Sequence, residues 1–144
     1  MCLPRRKNIP EKIKPTSQRV ISLAGLQKIL RDKFPDQGEL YLSDHLYLMC
    51  NTADISKFLQ QDATNKYGYK SEEYDCDDFA YRLMGQFSIL GWSHLAFGIV
   101  WTNAHALNCF VDETEKFWFV EPQSDKIIEK LEEWQGTTIR FIMM

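Results

Sequence analysis

The feature that most constrains the fold is a change of hydrophobic period near Gly91. Before it, apolar residues recur at three- and four-residue steps, the spacing that lines one face of a helix. Ser22 is placed to cap a first helix through Leu23, Leu26, Ile29 and Leu30, which Pro35 brings to a stop. Asp36-Gln37-Gly38 is turn chemistry, and Leu40 to Cys50, containing His45, is read as a short helix. Thr52 or Asp54 opens another helix, with Ile55, Phe58 and Leu59 inward. A tyrosine-bearing loop, Lys66 to Tyr74, leads to a third helix that Asp75 caps and that carries Phe79, Ala80, Leu83, Met84 and Phe87. After His94 the composition turns β-branched and aromatic. Leu95 to Trp101, His105 to Asp112 and Phe117 to Glu121 read as strands joined by short turns, the last stopped by Pro122. Asp125 to Trp134 reads as an amphipathic helix, and Thr137 to Met143 as a final strand. Helices first and strands second imply an α+β domain, N-terminal helices packed on a C-terminal antiparallel β-sheet.

With 144 residues, 44% of them hydrophobic, the chain is long enough for one domain with a real core. Residues 1–15 read as a basic N-terminal arm, with Arg5, Arg6 and Lys7, and residues 16–144 as a single domain. A net charge of −3 argues against nucleic-acid binding, and no apolar run approaches the roughly 20 residues of a membrane span. The arm lacks the apolar stretch of a secretory signal. Cys2, Cys50, Cys76 and Cys109 show no CxxC spacing, which implies reduced thiols and a cytoplasmic setting.

Cys76 falls on the first turn of the third helix and on its apolar stripe, so its thiol points inward at the positive end of the helix dipole. A buried cysteine can equally be an inert packing group. His105 opens one strand and Glu121 closes the next, 29 residues beyond Cys76 and 16 beyond His105 respectively. A tight turn between those strands puts His105 and Glu121 at the same end of the hairpin. There the carboxylate can orient the imidazole, and the imidazole can draw the thiol proton. Asp112 lies at the far end of the His105 strand, roughly 20 Å away if extended, and is rejected as the orienting acid. His94 is read as a turn residue, Cys109 as core, and Trp92, Trp101, Trp118 and Trp134 as core or rim.

Asp75-Cys76-Asp77-Asp78-Phe79-Ala80, His105-Ala106-Leu107-Asn108 and Val120-Glu121-Pro122-Gln123 together resemble the papain-like, transglutaminase-like cysteine peptidases. The likeness is nearest to the protease domain attached to a mushroom galactose-binding agglutinin, and it covers Tyr69 to Asp125. The resemblance implies a thiol-protease hydrolase in which Cys76 is the nucleophile, His105 the general base and acid, and Glu121 the orienting carboxylate. Its substrate would be a peptide or protein, cleaved by hydrolysis or modified by transamidation. It also implies calcium near the site, for which Asp77, Asp78, Glu121 and Gln123 offer oxygen ligands. Acids on a first helical turn are also favoured by the dipole without any metal. The glutamine that papain-like enzymes place before the nucleophile has no equivalent here, since Gln60 and Gln61 are distant. The alternative is a non-catalytic binding or accessory module in which the same residues form a hydrogen-bonded core.

Overall fold

A computed structural model describes residues 13–144 of the chain. The cysteine at position 2 and the basic cluster Arg5, Arg6 and Lys7 lie outside the described residues. Ser22 caps α1 (Leu23–Lys33) with its side-chain oxygen 3.1 Å from the Gly25 N–H. The cap of α2 (Thr52–Gln61) is neither Thr52 nor Asp54 but Asn51, whose side-chain oxygen accepts from Ala53 and Asp54 N–H. Asp54 instead accepts from both the N–H and the hydroxyl of Thr16, which ties the start of the domain to α2. The third helix, α3, spans Cys76–Phe87.

Two expected helices are absent from the described residues. Leu40 to Cys50 contributes to short strands: β2 (Glu39–Tyr41) and β3 (Leu46–Leu48), the latter antiparallel to β1 (Val20–Ser22). Asp125 to Trp134 forms β7 (Lys126–Ile128) and then enters a short 3-10 turn, Glu133–Gln135. In both places strand partners elsewhere in the chain satisfy the backbone, and tertiary pairing overrides the local pattern.

The main sheet has six strands in the order β2-β8-β4-β5-β6-β7, with β4 (Phe97–Thr102), β5 (Ala106–Val111), β6 (Phe117–Glu121) and β8 (Ile139–Met143). It is mixed, not purely antiparallel. The N-terminal β2 joins it in parallel with β8, and β8 inserts beside β4. Register separates the side chains into two faces. Val100, Leu107, Phe117, Phe119 and Ile142 meet Leu26 and Leu30 of α1. Phe97, Phe110 and Val120 meet Phe58 of α2 and Leu83 and Phe87 of α3. The helices therefore cover both faces, not one, which explains why every residue of β5 is buried, Asn108 included. Gly98 permits the β4–β8 approach, because a Cβ there would fall 1.9 Å from the Met143 carbonyl oxygen. No described helix is long and apolar enough to cross a membrane.

Candidate functional site

Position and hydrogen bonding build the site at one end of the β5–β6 hairpin. At the start of α3, Asp75 occupies the N-cap position, and the Asp78 carboxylate reaches back to the Asp75 N–H at 3.2 Å. The Asp75 carboxylate accepts from Glu72 N–H at 3.1 Å, which fixes the loop ahead of the helix. Cys76 is half-buried, a free thiol packed against Ala80, Ile99 and Ala106. Burial, the largest influence, pushes the Cys76 thiol above its ordinary value of 9.0. The Ala106 N–H opposes this, while the charges of Asp75 and Asp77 reinforce it.

His105 and Glu121 do meet. Nε2 of His105 lies 2.8 Å from Oε2 of Glu121, with both side chains buried. That oxygen also accepts from Gln135 Nε2 at 2.8 Å, and the second carboxylate oxygen accepts from the Gln123 N–H at 3.3 Å. Thr102 supports the same corner: its hydroxyl oxygen accepts from the His105 N–H at 2.9 Å, and its own N–H donates to the His105 carbonyl. The Trp134 ring packs on the imidazole at 4.8 Å between centroids. Asn108 is wholly buried and donates from Nδ2 to the carbonyls of Ala80 and Gly98, tying α3 to β4 and β5.

Gln135, Thr102, Trp134 and Asn108 are thus parts of the site that the sequence did not single out as such. A helical reading of residues 125–134 hid Gln135, whose Oε1 accepts from Glu132 N–H, a three-residue spacing typical of a capping pair. Asp112 organises a separate turn. Burial pushes its carboxyl up, but hydrogen bonds from Thr114, Trp118 and Lys116 prevail and hold it below the usual range.

Of the expected calcium ligands, only Asp77 falls in the acidic group that converges among the described residues, Asp75, Cys76 and Asp77, with ligand atoms within 4.8 Å of one another. Asp78 is engaged in the helix cap, and Glu121 is engaged by His105 and Gln135. Gln123 is half-buried, its N–H on Glu121. A hydrogen bond with Asp75 raises the Asp77 carboxyl, and the same contact lowers that of Asp75. The four residues therefore do not form one donor set for a cation.

A family model described as the ricin-type beta-trefoil lectin C-terminal domain matches residues 16–139. The chain belongs to that family. Among solved structures it is similar to the PSL1a–E64 complex, with 25% sequence identity and a TM-score of 0.74 over 87% of this chain and 50% of that one. It is also similar to Polyporus squamosus lectin bound to the human-type influenza-binding epitope Neu5Acα2-6Galβ1-4GlcNAc, at 24% identity and TM-score 0.71, over 87% and 49%. This chain therefore spans about half the length of those structures. No curated protein matches it.

These findings correct the reading taken from the three sequence blocks. The family is that of a lectin domain, not of papain-like or transglutaminase-like cysteine peptidases, and the helix-and-sheet body is shared with lectin structures. Cysteine-dependent acyl transfer, a thiol-protease or hydrolase activity and a peptide substrate are withdrawn with that assignment. The physical reason lies at the residues themselves. Burial and the neighbouring acids push the Cys76 thiol up, opposite to the shift that activates a nucleophile, and Glu121 is held by His105, Gln135 and Gln123 in a buried hydrogen-bonded network.

Proposed function

We propose that this chain is a non-catalytic module of a carbohydrate-binding protein, with Cys76, His105 and Glu121 serving as structure. The observation that carries this reading is the lectin-domain match over residues 16–139. The raised Cys76 thiol and the engaged Glu121 are consistent with it.

The surface best suited to a sugar is an aromatic strip on the sheet face beside α3. Tyr81 of α3 lies 6.5 Å from Trp101 of β4, which stacks on Phe141 of β8 at 5.4 Å, and Phe141 meets Tyr41 of β2 edge-on at 6.0 Å. Tyr41 and Tyr81 are both about half exposed, at 52% and 47%. A sugar ring presents an apolar C–H face to such rings, while its hydroxyls seek carboxylates at the margin. Glu39, on the Tyr41 hydroxyl, and Asp77, near Tyr81, supply these.

Titration of tryptophan fluorescence with Neu5Acα2-6Galβ1-4GlcNAc and with Galβ1-4GlcNAc tests the reading. A saturable change with at least one sugar is expected, weakened by about tenfold or more in Trp101→Ala. No saturable change with either, or one that Trp101→Ala leaves intact, contradicts the placement of the site.

A cytoplasmic setting is consistent with Cys50 and Cys109 as buried free thiols.

A further inference from the structure

Buried polar atoms without partners gather in one place away from Cys76. Asp62, at the C-cap of α2, is buried, and its Oδ2 accepts from the Thr64 N–H at 2.8 Å. Thr64 opens the 3-10 turn Thr64–Lys66 and is wholly buried, yet its hydroxyl has no partner. Asn65, next along, donates from Nδ2 to Oδ2 of Asp125 at 2.7 Å, which leaves the Asn65 Oδ1 and the Asp125 Oδ1 both buried and unpartnered. Asp125 sits at φ 60° in the turn between β6 and β7, a backbone state that aims this carboxylate at a segment 60 residues earlier in the chain.

Three orphaned oxygens, on neighbouring Thr64 and Asn65 and on the Asp125 that Asn65 contacts, lie beside the Asp62 carboxylate and are not satisfied by internal hydrogen bonding. A buried acceptor left alone is costly, and an orphan in a native structure calls for an ion or water to complete it. Carboxylates, an amide oxygen and a hydroxyl are the ligands that a hard cation selects.

We propose that Asp62, Thr64, Asn65 and Asp125 form a site for one hard divalent cation of the calcium class, clasping the end of α2 to the β6–β7 turn. Electrostatics support it. Burial and the charge of Asp62 push the Asp125 carboxyl up to about 6, and Lys66 only partly compensates. The site is distinct from the acidic turn at α3, where the group that converges is Asp75, Cys76 and Asp77, without Asp62 or Asp125. It does not depend on the carbohydrate reading.

Calorimetric and thermal titration of the whole chain with calcium chloride, and separately with magnesium chloride, tests the proposal. One calcium equivalent that persists in Asp77→Asn is expected, with a Kd on the order of 1 mM or tighter. Saturation raises Tm by about 5 °C or more at a hundredfold excess over Kd. Asp125→Asn, which keeps the turn conformation and removes the charge, weakens binding at least about tenfold, and Thr64→Val weakens it less. Absence of a calcium response at pH 7.5 overturns the site. So does a response abolished by Asp77→Asn but retained in Asp125→Asn. A third overturning result is water as the only occupant: Asp125→Asn then raises Tm while calcium changes neither protein.

Discussion

Glu121 accepts three hydrogen bonds, from His105, Gln135 and Gln123, while almost wholly buried. Glu121→Ala therefore strands two buried side chains, and a loss of about 3 kcal/mol in urea unfolding is expected. A loss below about 1 kcal/mol means that the network is not structural. Asp125 gives a pH signature. Its carboxyl titrates at about 6 in the folded chain, above its ordinary 3.8, so the folded state binds the proton more tightly than the unfolded chain does. Its contribution is fully present below the ordinary value and is lost as pH rises through the folded value. In chelator-treated protein, Tm should fall from about pH 4 to pH 7 more in wild type than in Asp125→Asn. At this scale the sequence was informative about proximity but not about protonation. The meeting of His105 and Glu121 follows from hairpin register, which strand spacing reveals. The raised Cys76 thiol depends on burial against Ala80, Ile99 and Ala106, residues that meet only in the folded chain.

Among the elements, β4, β5 and β6 were readable because β-branched and aromatic runs were cut by short polar turns. β2, β3 and β7 were not, since three-residue strands carry too little pattern and draw their stability from partners elsewhere in the chain. The helical reading of residues 125–134 failed for that reason and hid Gln135 along with Asp125's place in a turn. β8 makes the clearest element-scale test. Gly98→Ala drives a methyl into the Met143 carbonyl, so the β4–β8 ladder must part. A destabilisation of about 3 kcal/mol or more is expected by chemical unfolding, and near-neutral behaviour contradicts the register described.

Across the whole molecule, helices on both sheet faces and an N-terminal strand paired to the last one make the described residues a single interlocked body. Circular dichroism and tryptophan fluorescence should therefore report one coincident unfolding transition, and separate midpoints contradict the single-domain reading of residues 16–144. The proposed role of Cys76, His105 and Glu121 is structural, in a chain of the lectin C-terminal domain family that spans half the length of its structural neighbours. The most direct test of that claim is the rate of Cys76 alkylation by iodoacetamide against pH, in wild type and in His105→Ala. An apparent midpoint above the ordinary thiol value of 9.0 is expected, with no slowing in His105→Ala. Fast alkylation already at about pH 7, slowed by His105→Ala, would contradict it and establish an activated thiol–imidazole pair.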